Sequence, residues 1–170
     1  MHVITIVGDH LSGKTSLCEQ WSGSETTTSY CSTISVTHYH LPSLTLHDTP
    51  SSKRFHCNLE SWYTSSDVIV IVSKEDKHYD EWYARISPIT PHVTWVMILN
   101  GGNQPKRRMW AMEHDIRVFD VDLNTGYNVC ETLDTIRAFL EYKPILTNNQ
   151  TSFDYYWHLL LNTIYNFFGG

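Results

Sequence analysis

The chain predicts an α/β protein: a doubly wound, mostly parallel six-stranded sheet flanked by helices. Two observations carry this. Short apolar runs alternate with helix-like segments, the arrangement that builds parallel sheets. The run DVIVIVS (67–73) is continuously apolar and β-branched, as a central parallel strand covered on both faces must be. With 170 residues the chain fits one principal domain able to bury a sizeable core.

The elements follow in order. HVITIVG (2–8) reads as a buried strand, and GKTSLCEQW (13–21) opens a helix that the small polar run 22–29 stops. STISVTHYH (32–40) and SLTLHD (43–48) read as two strands joined by a tight turn at Leu41-Pro42-Ser43. RFHCNLESWYTS (54–65) is helix-like, and YDEWYARI (79–86) is a helix that two prolines end. HVTWVMILN (92–100) is a further buried strand, KRRMWAMEHD (106–115) a helix and IRVFDVDL (116–123) a strand. Residues 128–143 form an amphipathic helix with Val129, Leu133, Ile136 and Leu140 on one face. The principal domain spans 1–143 and the linker 144–152. The tail, 153–170, predicts an amphipathic aromatic helix with Phe153, Trp157, Leu160, Ile164 and Phe168 at helical spacing. Its apolar stripe fits packing on its own domain, docking into a partner or contact with a membrane, in that order of preference.

Composition narrows the function. The formal net charge of −6 argues against a general nucleic-acid or anionic-membrane binder. The four cysteines are widely spaced and form no C-x-x-C pair, which fits reduced, mostly buried thiols in a cytoplasmic protein. No signal peptide is expected, because the first strand runs straight into a glycine loop, and no stretch is long and apolar enough to span a bilayer.

That loop, GDHLSGKT, matches G-x-x-x-x-G-K-[ST] between a predicted strand and a predicted helix. Its glycines let consecutive backbone N–H groups turn inward toward anionic oxygens, and the helix N-terminus adds partial positive charge. The candidate phosphate-binding residues are Gly8, His10, Leu11, Ser12, Gly13, Lys14, Thr15 and Ser16. Lys14 reaches the terminal phosphates, and the Thr15 hydroxyl holds Mg²⁺.

From this loop onward the sequence resembles the Ras superfamily of small GTPases, most closely the Rab branch. YCSTISVTHYH resembles the Rab first switch, with Thr33 at the Mg²⁺-binding threonine and at the family's spacing from Lys14. HDTPSSKRF resembles WDTAGQERF, and HCNLESWYTSSDVIVIVS and DEWYARI continue the Rab pattern. ILNGGN stands where N-K-x-D would be, and VDLNTGYNV where the S-A-K loop would be. The likeness covers roughly residues 1–142 and implies a P-loop small GTPase fold binding GTP or GDP with Mg²⁺. It implies Thr15, Thr33 and Asp48 as metal ligands and Asn100, Asn103 and Asn124 at the base. It also implies protein effectors or regulators bound through the switch face, at Ile34, His38, His47, Phe55 and Trp62.

The departures lie in the chemistry. Ser51 replaces the glycine whose N–H senses the γ-phosphate, and Pro50 stiffens the chain before it. Ser52 replaces the glutamine that orients the attacking water, and His10 fills space a loop glycine leaves open. No catalytic residue is therefore assigned, and any GTPase activity is very slow. Asn103 offers guanine one acceptor where the family's aspartate offers two, which costs roughly 1–3 kcal/mol. Gly101 replaces a bracing lysine, and Asp122, Leu123 and Asn124 replace S-A-K, so Asp122 would repel guanine's carbonyl if turned inward. The effector-face aromatics become His38, His47 and Trp62 on a half-exposed patch, and the face pairing of His38 with His40 raises zinc as a minor alternative. The last cysteine is Cys130, so no prenylation is expected and membrane contact is indirect or through the tail.

The resulting expectation is a Rab-like protein that binds nucleotide and Mg²⁺, hydrolyses poorly, and acts by protein–protein interaction in vesicle trafficking. The alternative is a pseudo-GTPase scaffold that binds no nucleotide. A small kinase, with Arg107 and Arg108 over the phosphates, is a weaker third reading.

Overall fold

The computed structural model describes residues 1–24, 32–52, 59–74, 78–101 and 104–141. Residues 1–140 form one compact unit. The predicted linker and tail helix lie outside the described residues, as do Cys31, Cys57, Phe55 and Asn103.

The strands are β1 (His2–Gly8), β2 (Thr37–Leu41), β3 (Leu44–Asp48), β4 (Val68–Ser73), β5 (Thr94–Asn100) and β6 (Arg117–Val121). The helices are α1 (Lys14–Ser22), α2 (Glu60–Thr64), α3 (Tyr79–Ile86), α4 (Pro105–Glu113) and α5 (Val129–Glu141), with a 3₁₀ turn at Ser87–Ile89. The strand order is β2-β3-β1-β4-β5-β6. Among the strands of the described residues, only the β2–β3 pair is antiparallel. The mostly parallel six-stranded sheet read from the sequence is the one observed.

Each sheet face carries its own core. Leu17, Cys18 and Trp21 of α1 pack with Val129, Leu133, Ile136 and Leu140 of α5 over one face. Tyr63, Trp82, Ile86 and Ala111 cover the other. All six residues of β4 are buried, so its unbroken apolar run is explained by helices on both sides. Trp21 Nε1 donates to the Val129 carbonyl at 2.8 Å, joining α1 to the start of α5.

Several elements differ from the sequence reading at their ends. The predicted strand 32–40 begins only at Thr37, because the last residue of its partner, Asp48, pairs there and the chain before it has no ladder to join. Leu41 pairs with Leu44, leaving the two-residue turn Pro42-Ser43, with Ser43 at φ 62°. The predicted strand 116–123 stops at Val121, because Asp122 turns away to bridge Tyr127. Of the predicted helix 54–65, the described part forms α2 at Glu60–Thr64. Of the two cysteines among the described residues, Cys18 is buried and Cys130 is exposed on α5. No helix among the described residues is long and apolar enough to cross a membrane.

Candidate phosphate and cation site

The parallel sheet brings the carboxyl ends of its strands to one edge. Gly8 pairs with Val72, Ile6 with Asp48 and Asn100 with Val121, so β1, β3, β4, β5 and β6 end close together. Such an edge, at the point where strand order reverses, is where doubly wound sheets bind ligands. The glycine loop leaves β1 there.

Two glycines shape the loop for physical reasons. Gly8 has φ 144°, and a β-carbon on it would run into the Val72 carbonyl oxygen. Gly13 has φ 103°, and a β-carbon there would lie 2.5 Å from Leu123 Cδ1 and 2.9 Å from Asn100 Nδ2. Between them Leu11 takes φ 59° with its side chain 59% exposed, an unfavourable conformation for a residue with a β-carbon. Ser12 N donates to the Asp9 carbonyl at 3.3 Å, which tightens the turn, and the Ser12 hydroxyl is buried without a hydrogen-bond partner among the described residues. Ser16 follows on the first turn of α1.

Lys14 is buried, and its Nζ donates to the Asp9 carbonyl at 2.7 Å. Burial lowers its pKa, against the opposing pull of Asp48 and Asp9. Beside it, Thr15 Oγ1 donates to Asp48 Oδ2 at 2.7 Å, and Thr33 Oγ1 lies 3.3 Å from Thr15 Oγ1 and 3.4 Å from the same carboxylate oxygen. Asp48 is 1% exposed, and its Oδ1 has no hydrogen-bond partner among the described residues. Burial raises its pKa, while the Thr15 hydrogen bond and Lys14 pull it back. A buried carboxylate oxygen without a donor is costly unless a cation or water meets it. Two hydroxyls and a carboxylate are the hard oxygen donors Mg²⁺ prefers, so the residues present fit that ion. Thr15, Thr33 and Asp48 would hold it, and a bound cation would neutralise phosphate charge.

Thr49, directly after Asp48, is fixed by its own hydroxyl and N–H, both donating to the Ile6 carbonyl, at 2.7 and 3.4 Å. The second switch thus starts from a rigid anchor. Ser51 then lines a cavity of about 460 Å³ together with Asp9, His10, Leu11, His78 and Trp82.

This cavity exposes a contact the sequence reading missed. Asp9, a wildcard position in the loop motif, accepts from Trp82 Nε1 at 2.9 Å and faces His78 Nδ1 at 3.1 Å. The loop is thereby tied to α3. The signal was present in the tryptophan of DEWYARI, but its partner is 73 positions away.

The base end is braced differently. Asn100 Nδ2 donates to the Ser12 carbonyl at 3.1 Å, and its Oδ1 accepts from Leu123 N at 3.3 Å. Leu123 is held from the other side by Gln20 Nε2, which donates to its carbonyl at 2.8 Å. The Asp122 carboxylate does not turn inward. It accepts from Asn124 N at 2.9 Å and Thr125 Oγ1 at 3.0 Å within its own turn, which lowers its pKa. Asn124 is exposed.

On the switch face, the structure brings His38, His47 and Trp62 together. Their ring centroids are 4.8 to 5.0 Å apart in all three pairs. His47, however, is only 4% exposed, not half-exposed as the sequence reading held. Its Nδ1 lies 3.2 Å from Thr5 Oγ1, which in turn lies 2.6 Å from Ser66 Oγ. His38 is exposed above it, and Ile34 is 67% exposed nearby in sequence. Among the described residues no three His, Cys, Asp or Glu side chains are grouped to hold a metal ion, so His38 and His40 acquire no third ligand of that kind.

The kinase alternative loses its carrier. Arg107 is fully buried and donates to Ser73 Oγ at 2.9 Å and to the Lys74 carbonyl at 3.4 Å, while Arg108 pairs with Asp120. Neither is a phosphate lid.

Comparison with known proteins agrees with the geometry. The family model described as Ras of Complex, Roc, domain of DAPkinase matches residues 3–103, from β1 through the end of β5. No curated protein sequence matches the chain. The glycine loop, the Thr15–Asp48 pair and the sheet order all lie within or agree with that match: this chain belongs to the Roc family of Ras-like GTPase domains.

Proposed function

We propose that this protein binds a nucleotide such as GTP or GDP together with Mg²⁺, hydrolyses it poorly, and acts as a Rab-like partner-binding protein in vesicle trafficking. One observation carries the binding: the Thr15–Asp48–Thr33 cluster with its open Asp48 Oδ1, beside buried Lys14. Poor hydrolysis rests on Ser51 and Ser52 where the resemblance implies glycine and glutamine, on Pro50 before them, and on His10 at the cavity. A serine hydroxyl is too short to orient a water as glutamine does. Partners would be met at exposed Ile34 and His38 and at half-buried Trp62, with His47 supporting them from below. This role goes with a cytoplasmic location, peripheral to membranes at most.

The test is the nucleotide that copurifies, released by denaturation and resolved by ion exchange. Bound GTP is expected. Bound GDP would contradict the poor hydrolysis.

One observation favours a second reading, a scaffold that binds no nucleotide. Lys14 on the Asp9 carbonyl and Thr15 on Asp48 close the site on itself. No released nucleotide, no rise in Tm with Mg²⁺–GTP, and full partner binding by Lys14→Ala would establish it.

A further inference from the structure

Asp9 faces two ways, and this links the phosphate loop to a helix outside it. Its backbone carbonyl lies within the loop, where it accepts from Lys14 Nζ at 2.7 Å and from Ser12 N at 3.3 Å. Its carboxylate leaves the loop for α3, where it accepts from Trp82 Nε1 at 2.9 Å and faces His78 Nδ1 at 3.1 Å. We infer that Trp82 is a positioning residue for the phosphate grip: through Asp9 it holds the loop so that Lys14 is presented to phosphate oxygens, and this slows release of the bound nucleotide. The inference rests on the nucleotide-binding reading above and names what sets the hold of that site.

Trp82 is the fixed end of the bond. It is 5% exposed and belongs to the buried core on its side of the sheet. Its backbone N donates to the His78 carbonyl at 3.0 Å, and the Arg85 guanidinium lies 4.2 Å from its ring centroid. A ring held by its own helix and by the core does not follow the loop, so the loop is positioned by the ring.

The loop needs such a hold. Leu11, two residues after Asp9, takes φ 59° although it carries a β-carbon. A strained turn persists only where its surroundings fix it, and the Asp9 carboxylate on α3 is one such anchor. Fixing Asp9 also fixes the carbonyl on which Lys14 rests. An ammonium has three N–H donors, so that bond directs the group and leaves donors for phosphate oxygens. A charge already in place costs less ordering when the ligand arrives. Differences in hold between closely related complexes fall mostly on the dissociation rate.

The test is release of N-methylanthraniloyl GTP, prebound to the full chain as its Mg²⁺ complex and chased with excess unlabelled GTP. Trp82→Phe keeps the ring but not the donor, and should speed release by about threefold or more, as couplings carried through packed contacts do. Trp21→Phe loses a bond of the same kind away from the loop, Nε1 to the Val129 carbonyl at 2.8 Å, and should change the rate by less than about threefold. In an Asp9→Ala background, Trp82→Phe should add less than about threefold, because both changes act through one bond. A smaller effect of Trp82→Phe, an equal effect of Trp21→Phe, or an undiminished effect in the Asp9→Ala background would each overturn the inference. Where Trp82→Phe does not fold, Asp9→Ala and Asp9→Asn decide. Both remove the charge, but only asparagine keeps an acceptor for Trp82, so release from Asp9→Ala should be faster by about threefold or more. Matching rates in those two variants would sink the proposal. A parent chain that binds no labelled nucleotide overturns the nucleotide-binding reading itself, and the inference with it.

Discussion

The Asp9 carboxylate accepts a 2.9 Å hydrogen bond from Trp82 Nε1 and so fastens the phosphate loop to α3. Trp82→Phe keeps an aromatic ring in the core while removing the donor. It is expected to lower the free energy of unfolding by about 1–3 kcal/mol, the range for losing one buried side-chain hydrogen bond. Urea denaturation reads this directly, and a midpoint equal to the parent's would show that the bond contributes nothing net.

Asp48 carries an open oxygen and a pKa raised by burial, so its charge is disfavoured in the ligand-free fold. Asp48→Asn keeps the shape and an acceptor for Thr15 but removes the charge. The ligand-free variant should be at least as stable as the parent, while Mg²⁺ should no longer strengthen nucleotide binding. Titrations with and without the cation separate the two effects, and a full Mg²⁺ effect in the variant would rule out Asp48 as a ligand.

Leu11 is held at φ 59° with an exposed side chain. A left-handed conformation costs a residue with a β-carbon roughly 1–2 kcal/mol, partly offset by the extra unfolded-state freedom of glycine. Leu11→Gly should therefore leave stability unchanged or raise it by about 0.5–1 kcal/mol. Thermal unfolding checks it: a drop in Tm would mean that Leu11 makes a contact outweighing the backbone cost.

His47 sets a pH dependence. Burial, with further contributions from His38 and His40, pushes it down to about 4 from an ordinary 6.5. Thr5 and Ser66 face it from β1 and the end of α2, and Trp62 covers it. The unfolded chain takes up the proton near pH 6.5, the native state only near pH 4. This group's stabilisation is thus full above pH 6.5 and is lost as the pH falls toward 4, amounting to about 2–3 kcal/mol. Unfolding free energies of the parent and His47→Gln at pH 7.5 and 4.5 should show a shallower loss in the variant. Equal losses would mean that His47 is not held neutral.

Much of the site was legible because it depends on local sequence. The glycine loop needs positive φ at Gly8 and Gly13, and only glycine supplies that cheaply, so the motif announces itself. Val129, Leu133, Ile136 and Leu140 repeat at helical period, and all four are buried. His47 was misread because burial of a strand residue depends on what covers its face. The residues that do so, Thr5, His38 and Trp62, come from three other elements. Leu123 was noted only as a departure from S-A-K, because its seat against Gly13 joins residues from opposite ends of the domain.

The sequence by itself determined the α/β alternation, the phosphate loop and the residue types offered to cation and base, since periodicity and backbone freedom are properties of neighbours along the chain. Only the tertiary structure decided that Thr15, Thr33 and Asp48 converge with one oxygen left open, that Asp9 grips Trp82, that Asn100 braces the phosphate loop, and that Asp122 folds into its own turn. Those outcomes follow from sheet register and loop packing, which bring distant residues together and set which hydrogen-bonding groups satisfy each other and which remain for a ligand.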